Sequence, residues 1–375
     1  MKKFGWIVFV VFCIALLGST AFAAAPQFKW RMQVIHSPAH TDFVQNQRSA
    51  EKIFKATNGR LQIEVVPNGT IVPSLEGFQA CGEGVFEMHN SWPIYARGVE
   101  YAFLPMSTGN LQMDAQDRYV WLYEFGGWDL MQKAFDKLNL KLLAIEVWGT
   151  EVMMSRLPFK SIADMKGRKM RTSDPRLLAK NNVAGLTLPL EEVFTGLATG
   201  AVDSAEFGHL HYNQGLGLVD VSKYGIWPDF WNVHFVTTVV ANKNAYNKLP
   251  EDIKLIVEMG FRADEFNHWT RSQYYSAMLY HELRANGKME FLRMDPAQWP
   301  ELRRQTYDIE MEDVAKFKGL TAEAYNSMWD FMAIWYPYKT IAAWWGDGLT
   351  PEQQMGFDPK TRDLKKHINF DLNRK

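Results

Sequence analysis

Two groups of residues in this chain have the types and spacing to do chemistry. The first is Glu206, His209, His211 and His234. A His-x-His pair can supply two metal ligands from one strand, and Glu206 adds an oxygen, which is the donor set of a secreted metal-dependent hydrolase. The second is the basic run Lys166-Gly167-Arg168-Lys169-Met170-Arg171, a turn feeding a strand. Lys166, Arg168 and Lys169 suit a solvated turn. Arg171 falls where the strand ends, just before Thr172-Ser173, and strand ends of open α/β sheets line ligand crevices. A guanidinium there can hold a carboxylate through two parallel hydrogen bonds, a geometry an ammonium cannot match. Cys81 has no flanking basic group and reads as a small apolar core residue. No Walker loop, dinucleotide fingerprint, Gly-x-Ser-x-Gly elbow or His-Glu-x-x-His helix occurs.

The elements that must hold these residues follow from hydrophobic period and turn chemistry. Phe28 to Ile35 predicts a strand, Asp42 to Lys55 a helix, and Asn58-Gly59 a turn into a strand over Leu61 to Val66. A helix over Ser74 to Gly82 and a strand over Val85 to Met88 follow. Later come a strand over Arg168 to Thr172, helices over Arg176 to Asn182 and Glu191 to Ala198, and a strand end over Val202 to Glu206. Strands alternating with helices imply β-α-β units and a largely parallel sheet covered on both faces. Leu142 to Trp148 reads as a strand crossing between two similar lobes, and Val233 to Ala241 as the return. Helices are expected over Glu251 to Gly287, Pro300 to Phe317 and Ala322 to Trp335. The aromatic stretch Trp329, Phe331, Ile334, Trp335, Tyr336, Tyr338, Trp344 and Trp345 reads either as core or as a homodimer contact through the C-terminal helices.

Lys2 and Lys3, an apolar run from Phe4 to Leu17 and Ala21-Phe22-Ala23 have the form of a signal peptide cleaved after Ala23 or two residues later. The run is shorter than the ~20 residues that span a bilayer. Export to the periplasm is therefore expected. It would remove Cys13, leave Cys81 as the only mature cysteine and preclude an intramolecular disulfide. With 41 Lys+Arg against 42 Asp+Glu, the chain lacks the basic excess of a nucleic-acid binder. Its 47% hydrophobic and 22% charged residues exclude wholesale disorder, and 375 residues suggest two domains. The expected boundaries are a signal peptide over 1–23, lobe 1 over 24–145 and lobe 2 over 146–235. The return strand and C-terminal helices take 236–345, and a loosely attached polar tail takes 346–375.

Ser161-Ile162-Ala163-Asp164-Met165-Lys166-Gly167-Arg168-Lys169-Met170-Arg171 resembles the signature of the extracytoplasmic solute-binding proteins of TRAP (tripartite ATP-independent periplasmic) transporters. Glu191-Glu192-Val193-Phe194-Thr195, Gly200-Ala201-Val202-Asp203-Ser204-Ala205-Glu206 and Leu249-Pro250-Glu251-Asp252 extend the match. Ala205-Glu206-Phe207, Leu216-Gly217 and Pro228-Asp229-Phe230-Trp231 are similar to the 2-oxo acid and lactate branch.

The resemblance implies a type II-like, two-lobe α/β periplasmic binding protein with crossing strands, not an enzyme. It would capture a small organic acid with a cation and deliver it to TRAP membrane permease subunits. Arg171 would clamp the carboxylate, and Trp92 and Tyr95 would reach the ligand from the first lobe. Glu206 and the Phe207 carbonyl would ligate Na⁺ or Ca²⁺, and oxygen-only ligation suits those ions. Glu151 and Asn232 would touch both substrate and cation, Asn232 standing where the branch often has a glutamate. Gly208-His209-Leu210-His211 departs from the usual continuation. The rival readings are the Glu206/His209/His211 hydrolase and a ligand-sensing protein feeding a receptor.

Overall fold

The computed structural model describes residues 25–108, 112–228, 233–342 and 350–363. The expected signal peptide, Asn232, Trp344, Trp345 and the last twelve residues lie outside them. The first sheet begins where alternation is strongest. β1 (Phe28–Val34) is followed by α1 (Thr41–Ala56) and β2 (Leu61–Val66). Asn58 and Gly59, with φ of 52° and 79°, make the turn between helix and strand. After α2 (Gly77–Glu83) come β3 (Met88–Ser91), α3 (Phe103–Ser107), α4 (Ala115–Glu124), α5 (Gly127–Asp136) and β4 (Leu140–Val147).

The second sheet is built from short strands. It contains β5 (Met153–Ser155), β6 (Lys169–Arg171), α6 (Arg176–Lys180), β7 (Ala184–Leu186), α7 (Leu190–Thr199), β8 (Ser204–Ala205), α8 (Leu210–Gly215) and β9 (Tyr224–Trp227). The chain then returns as β10 (Val236–Asn242) and continues through α9 (Lys243–Asn247), α10 (Glu251–Ala285), β11 (Glu290–Arg293), α11 (Trp299–Lys316), α12 (Leu320–Ala342) and α13 (Pro351–Met355).

The strands form two mixed sheets, ordered β2-β1-β3-β10-β4 and β11-β9-β5-β8-β6-β7. β1 pairs in parallel with β2 and β3, and β10 runs antiparallel to β3 and β4. β6 is parallel to β7 and β8, whereas β5 is antiparallel to β8 and β9. The chain crosses between the sheets after β4 and again before β10. The two crossing segments are bonded to each other, Trp148 N–H to the Phe235 carbonyl at 2.8 Å and Glu151 N–H to the Val233 carbonyl at 3.1 Å. The 35-residue α10, about 52 Å long at 1.5 Å per residue, is a third link. Its Ile253, Val257 and Phe261 lie in the core beneath the first sheet, and Leu279 and Leu283 lie in the core of the second.

Two expectations change on contact with the fold, and a third, open between core and dimer contact, comes out as core for most of the described aromatics. The strand expected over Val85 to Met88 forms three residues later, because Met88-His89-Asn90-Ser91 is the stretch that β1 and β10 flank. Its side chains are all buried although three are polar, so apolar period could not mark it. On α12, Trp329, Phe331 and Tyr336 pack into this chain's own core with Trp121 and Phe103, leaving Tyr338 and Ile341 exposed. In the stretch read as a loose tail, Met355 and Phe357 are buried against that core and Arg362 pairs with Asp330. Cys81 is buried, as expected of a core residue. No helix among the described residues is long and apolar enough to cross a membrane.

Candidate functional site

β6 delivers Arg171 to its C-terminal end. Met170 points into the core, and Lys169 and Arg171 share the opposite face of the strand, so what separates the two cations is position along it, Lys169 exposed where the strand starts and Arg171 buried where it ends. Arg171 is 6% exposed and held by three contacts. Nη1 donates to the Glu206 carbonyl at 2.7 Å, Nε donates to the Leu188 carbonyl at 3.3 Å, and the guanidinium lies 4.6 Å from the centre of the Phe207 ring. Arg171 also lines a cleft of ≈ 440 Å³ with Ser173, Leu188 and Pro189 from the second sheet's side and Leu75, Ile94, Tyr95 and Arg97 from the first. Among the described residues, its remaining nitrogen, Nη2, takes no hydrogen bond.

Glu206 follows β8 and is fully buried. Its carboxylate accepts from the Thr172 hydroxyl and the Ser173 N–H, each at 2.7 Å, and stands 3.8 Å from Arg171 Nη1. Burial pushes its carboxyl above the usual range, and the Arg171 charge pulls the other way. Glu151 is also fully buried, on the first crossing segment. Val152 N–H bonds the Gly208 carbonyl at 3.2 Å, which lays this segment beside the one carrying Glu206 and Phe207.

Trp92 and Tyr95 reach the same place from the loop after β3. The Trp92 ring meets Phe207 edge-on at 5.6 Å and Tyr95 at 5.4 Å. Trp92 is 7% exposed, and its Nε1–H is buried without an acceptor. Burial pushes the Tyr95 phenol up despite the Arg171 charge. Thus Arg171, Glu206, Phe207, Trp92 and Tyr95 come together, with the segment that carries Glu151 alongside, while Asn232 lies outside the described residues. A buried carboxylate 3.8 Å from the guanidinium, with a second buried carboxylate on the neighbouring crossing segment, suits a hard cation, with main-chain oxygens to complete its shell.

The hydrolase set does not assemble. Among the described residues Glu206 forms no ligand cluster with His209, His211 or His234, and His234 Nε2 accepts from Arg118 Nε at 3.2 Å. His209 and His211 stack at 6.3 Å but face a different group of histidines, one that sequence reasoning missed. His36 and His40 lie between β1 and α1, Asp42 opens α1, and His268 lies on α10. His268 Nδ1 is 3.2 Å and His40 Nδ1 3.3 Å from the Asp42 carboxylate. Burial holds the His36 imidazole down to about 3 and His209 well below its usual range, so both are neutral. Burial would also lower His268, but the Asp42 charge outweighs it and raises the pKa. The sequence signal was a His-x-x-x-His-x-Asp run, His36 to Asp42, at a strand-to-helix turn.

Residues 34–313 match the profile of the bacterial extracellular solute-binding proteins, family 7. The chain is 27% identical over 252 residues to a monocarboxylate 2-oxoacid-binding periplasmic protein of Nostoc sp., covering 66% of this chain and 69% of that one. A TRAP periplasmic solute-binding protein of Pseudoalteromonas atlantica with bound sodium and pyruvate superposes with a TM-score of 0.76 at 20% identity, covering 84% and 97% of the two chains. A TRAP transporter solute-binding protein of Bordetella bronchiseptica gives the same TM-score at 19% identity, covering 84% and 95%. It is a mixed-occupancy dimer with calcium and picolinate in one site. These structures share the two-lobe fold.

Proposed function

The chain belongs to family 7 of the bacterial extracellular solute-binding proteins, and from that premise we propose that it captures a small 2-oxo or 2-hydroxy monocarboxylate together with Na⁺ or Ca²⁺ and hands it to TRAP permease subunits. The observation that carries this reading is Arg171. It is a buried guanidinium at a strand end, braced by two carbonyls and an aromatic face, on a cleft lined from both sheets. Bracing fixes the donor fork before ligand arrives, so little side-chain entropy is lost on binding. Trp92 Nε1–H, a buried donor without an acceptor, would supply a second contact to the acid.

Charge arithmetic supports the cation. With Arg171 set against Glu206 and Glu151, an incoming carboxylate leaves these groups two charges negative, which one Na⁺ or Ca²⁺ offsets in part or in full. Closure about the two bonded crossing segments would expel water and strengthen every one of these contacts. The Nostoc relative's 2-oxoacids and the neighbours' sodium–pyruvate and calcium–picolinate pairs support the same ligand class.

The test is calorimetric titration of the mature chain with pyruvate, 2-oxobutyrate and lactate, in sodium, calcium or choline buffers. The reading requires saturable one-to-one binding of at least one acid that weakens when both Na⁺ and Ca²⁺ are withheld. Binding of neutral sugars or amines, with no response to any acid, would refute it. We propose export with cleavage after Ala23 for the same family-based reason. For self-association, the exposed Leu255, Met259, Phe266, Tyr274 and Met278 along α10 are a better candidate surface than α12, whose aromatics are mostly internal.

A further inference from the structure

We propose that His36, His40 and Asp42 form a buried site for a divalent transition-metal ion of the Zn²⁺ class, separate from the carboxylate clamp. One nitrogen from each histidine and one Asp42 oxygen all lie within 4.8 Å of one another. Ligands held at ~2.1 Å around a tetrahedral ion stand about 3.4 Å apart, so modest side-chain rotations close the set. Among the described residues, this is the only trio of His, Cys, Asp or Glu to come together in this way.

The second observation is an excess of buried donor atoms with nothing to bind. His36 is fully buried, and neither of its ring nitrogens has a hydrogen-bond partner. His40 Nε2, His268 Nε2, His209 Nε2 and Asp42 Oδ2 are likewise buried without one. Native interiors rarely leave so many polar atoms unsatisfied in one place, because each carries a desolvation cost. A metal ion would satisfy one atom from each residue that ligates it. His40 Nδ1 accepts from Asp42 N–H at 3.3 Å, which leaves its Nε2 for a metal, and His268 Nδ1 stands 3.2 Å from Asp42 Oδ1, the carboxylate–histidine contact that commonly supports metal sites.

The surroundings fit an ion of this class. Imidazole nitrogens select borderline metals over Ca²⁺ and Na⁺, which take oxygen. Tyr212 separates the two sites, meeting His40 edge-on at 4.4 Å on one side and stacking on Phe207 at 6.0 Å on the other. A cleft of ≈ 280 Å³ reaches His40 between Ser37, Pro38 and Asn68 on one side and Leu190, Tyr212 and Leu216 on the other, giving an entry path. His209 and His211, from the second sheet's side, have their rings 6.4 Å and 5.9 Å from that of His40 and are the candidates for a fourth ligand.

The experiment uses the untagged mature chain, stripped with chelator and titrated with Zn²⁺ by calorimetry and with Co²⁺ by visible spectroscopy. The expected result is one ion per chain at micromolar affinity or better, with the intense d–d bands of a tetrahedral nitrogen–oxygen site. Millimolar Ca²⁺ should not displace it. His36→Gln and His40→Gln should each weaken Zn²⁺ binding by about 100-fold or more, beyond the 10–100-fold that follows loss of a supporting partner. His281→Gln, at an exposed position, should leave it unchanged. The proposal is overturned by no Zn²⁺ uptake in the micromolar range, by Co²⁺ bands typical of six oxygens, or by a folded His36→Gln/His40→Gln chain that still binds Zn²⁺ as the parent does. The first two outcomes need no variant, so a substitution that fails to fold does not shield the idea.

Discussion

Replacing Arg171 tests the clamp most directly. In Arg171→Ala the acid would lose its only buried cationic partner among the described site residues, and Glu206 would lose the positive charge 3.8 Å from its carboxylate. Stranding a buried charge in this way costs roughly 2–5 kcal/mol. In dissociation constant that is about 30-fold to several thousand-fold. Arg171→Lys keeps the charge but has one nitrogen where the arginine has three. Its three donors radiate from one point, so it cannot keep the Glu206 carbonyl and also grip the acid through two parallel hydrogen bonds, and its loss should fall at the lower end of that range. Lys169→Ala, two residues back on the same strand and exposed, should change affinity by less than ~2-fold, since exposed charges contribute little.

Titration calorimetry well below every variant's unfolding temperature separates lost affinity from lost stability. Saturating acid at ~1,000 times its dissociation constant adds about 4 kcal/mol to the parent chain, so a thermal-shift assay gives a second readout. Equal losses from Arg171→Ala and Lys169→Ala, or parent-like affinity in Arg171→Ala, would refute the reasoning.

Trp92→Phe keeps the ring packing on Phe207 and deletes the buried N–H, so acid affinity should fall by roughly 10-fold, the worth of one charge-assisted hydrogen bond; unchanged affinity would remove Trp92 from the site. Glu206→Gln can retain its partners Thr172 and Ser173 while dropping one negative charge, and it should abolish the dependence of acid binding on Na⁺ or Ca²⁺. Persistence of that dependence would place the cation elsewhere. Glu265, bonded to Ile145 N–H at 2.8 Å and to the Tyr123 hydroxyl, is pushed up to about 7 by burial. The folded chain therefore binds its proton more tightly than the unfolded one, and stability should decline as pH rises from about 4.5 to about 7, by roughly 3 kcal/mol from this group. Glu265→Gln should flatten that slope in denaturant titrations, and an undiminished slope would assign it to other groups. If α10 carries a self-contact, Met259→Glu with Phe266→Glu should shift light-scattering mass from dimer to monomer, whereas Tyr338→Glu on α12 should not.

Legibility in the sequence followed the range of the interactions involved. The segment β1–α1–β2 could be read because local alternation, helical period and the Asn58-Gly59 turn all act within a few residues. The same holds for α10, opened by Leu249-Pro250, and for Arg171, whose position depends only on where a short strand stops. β5, β7, β9 and β11, with three or four residues each, give no window in which a period can be counted. β3 hid because its buried His89 and Asn90 find partners far along the chain, the Gln33 carbonyl for His89 Nδ1 and Glu146 for the Asn90 amide. His36, His40, Asp42, His209 and His268 meet only because α10 and the second sheet bring residues more than 160 positions apart onto the strand-to-helix turn after β1. No spacing rule reports such an encounter.

Glu151 rides on one of the two bonded strips about which the proposed closure would bend the halves. Any ion or acid seated against it pushes on the fulcrum directly, with no relay of side chains in between. On the proposed function, occupancy and bending would be a single mechanical event, and a permease that sensed only the angle between the halves would thereby sense whether the cargo is aboard.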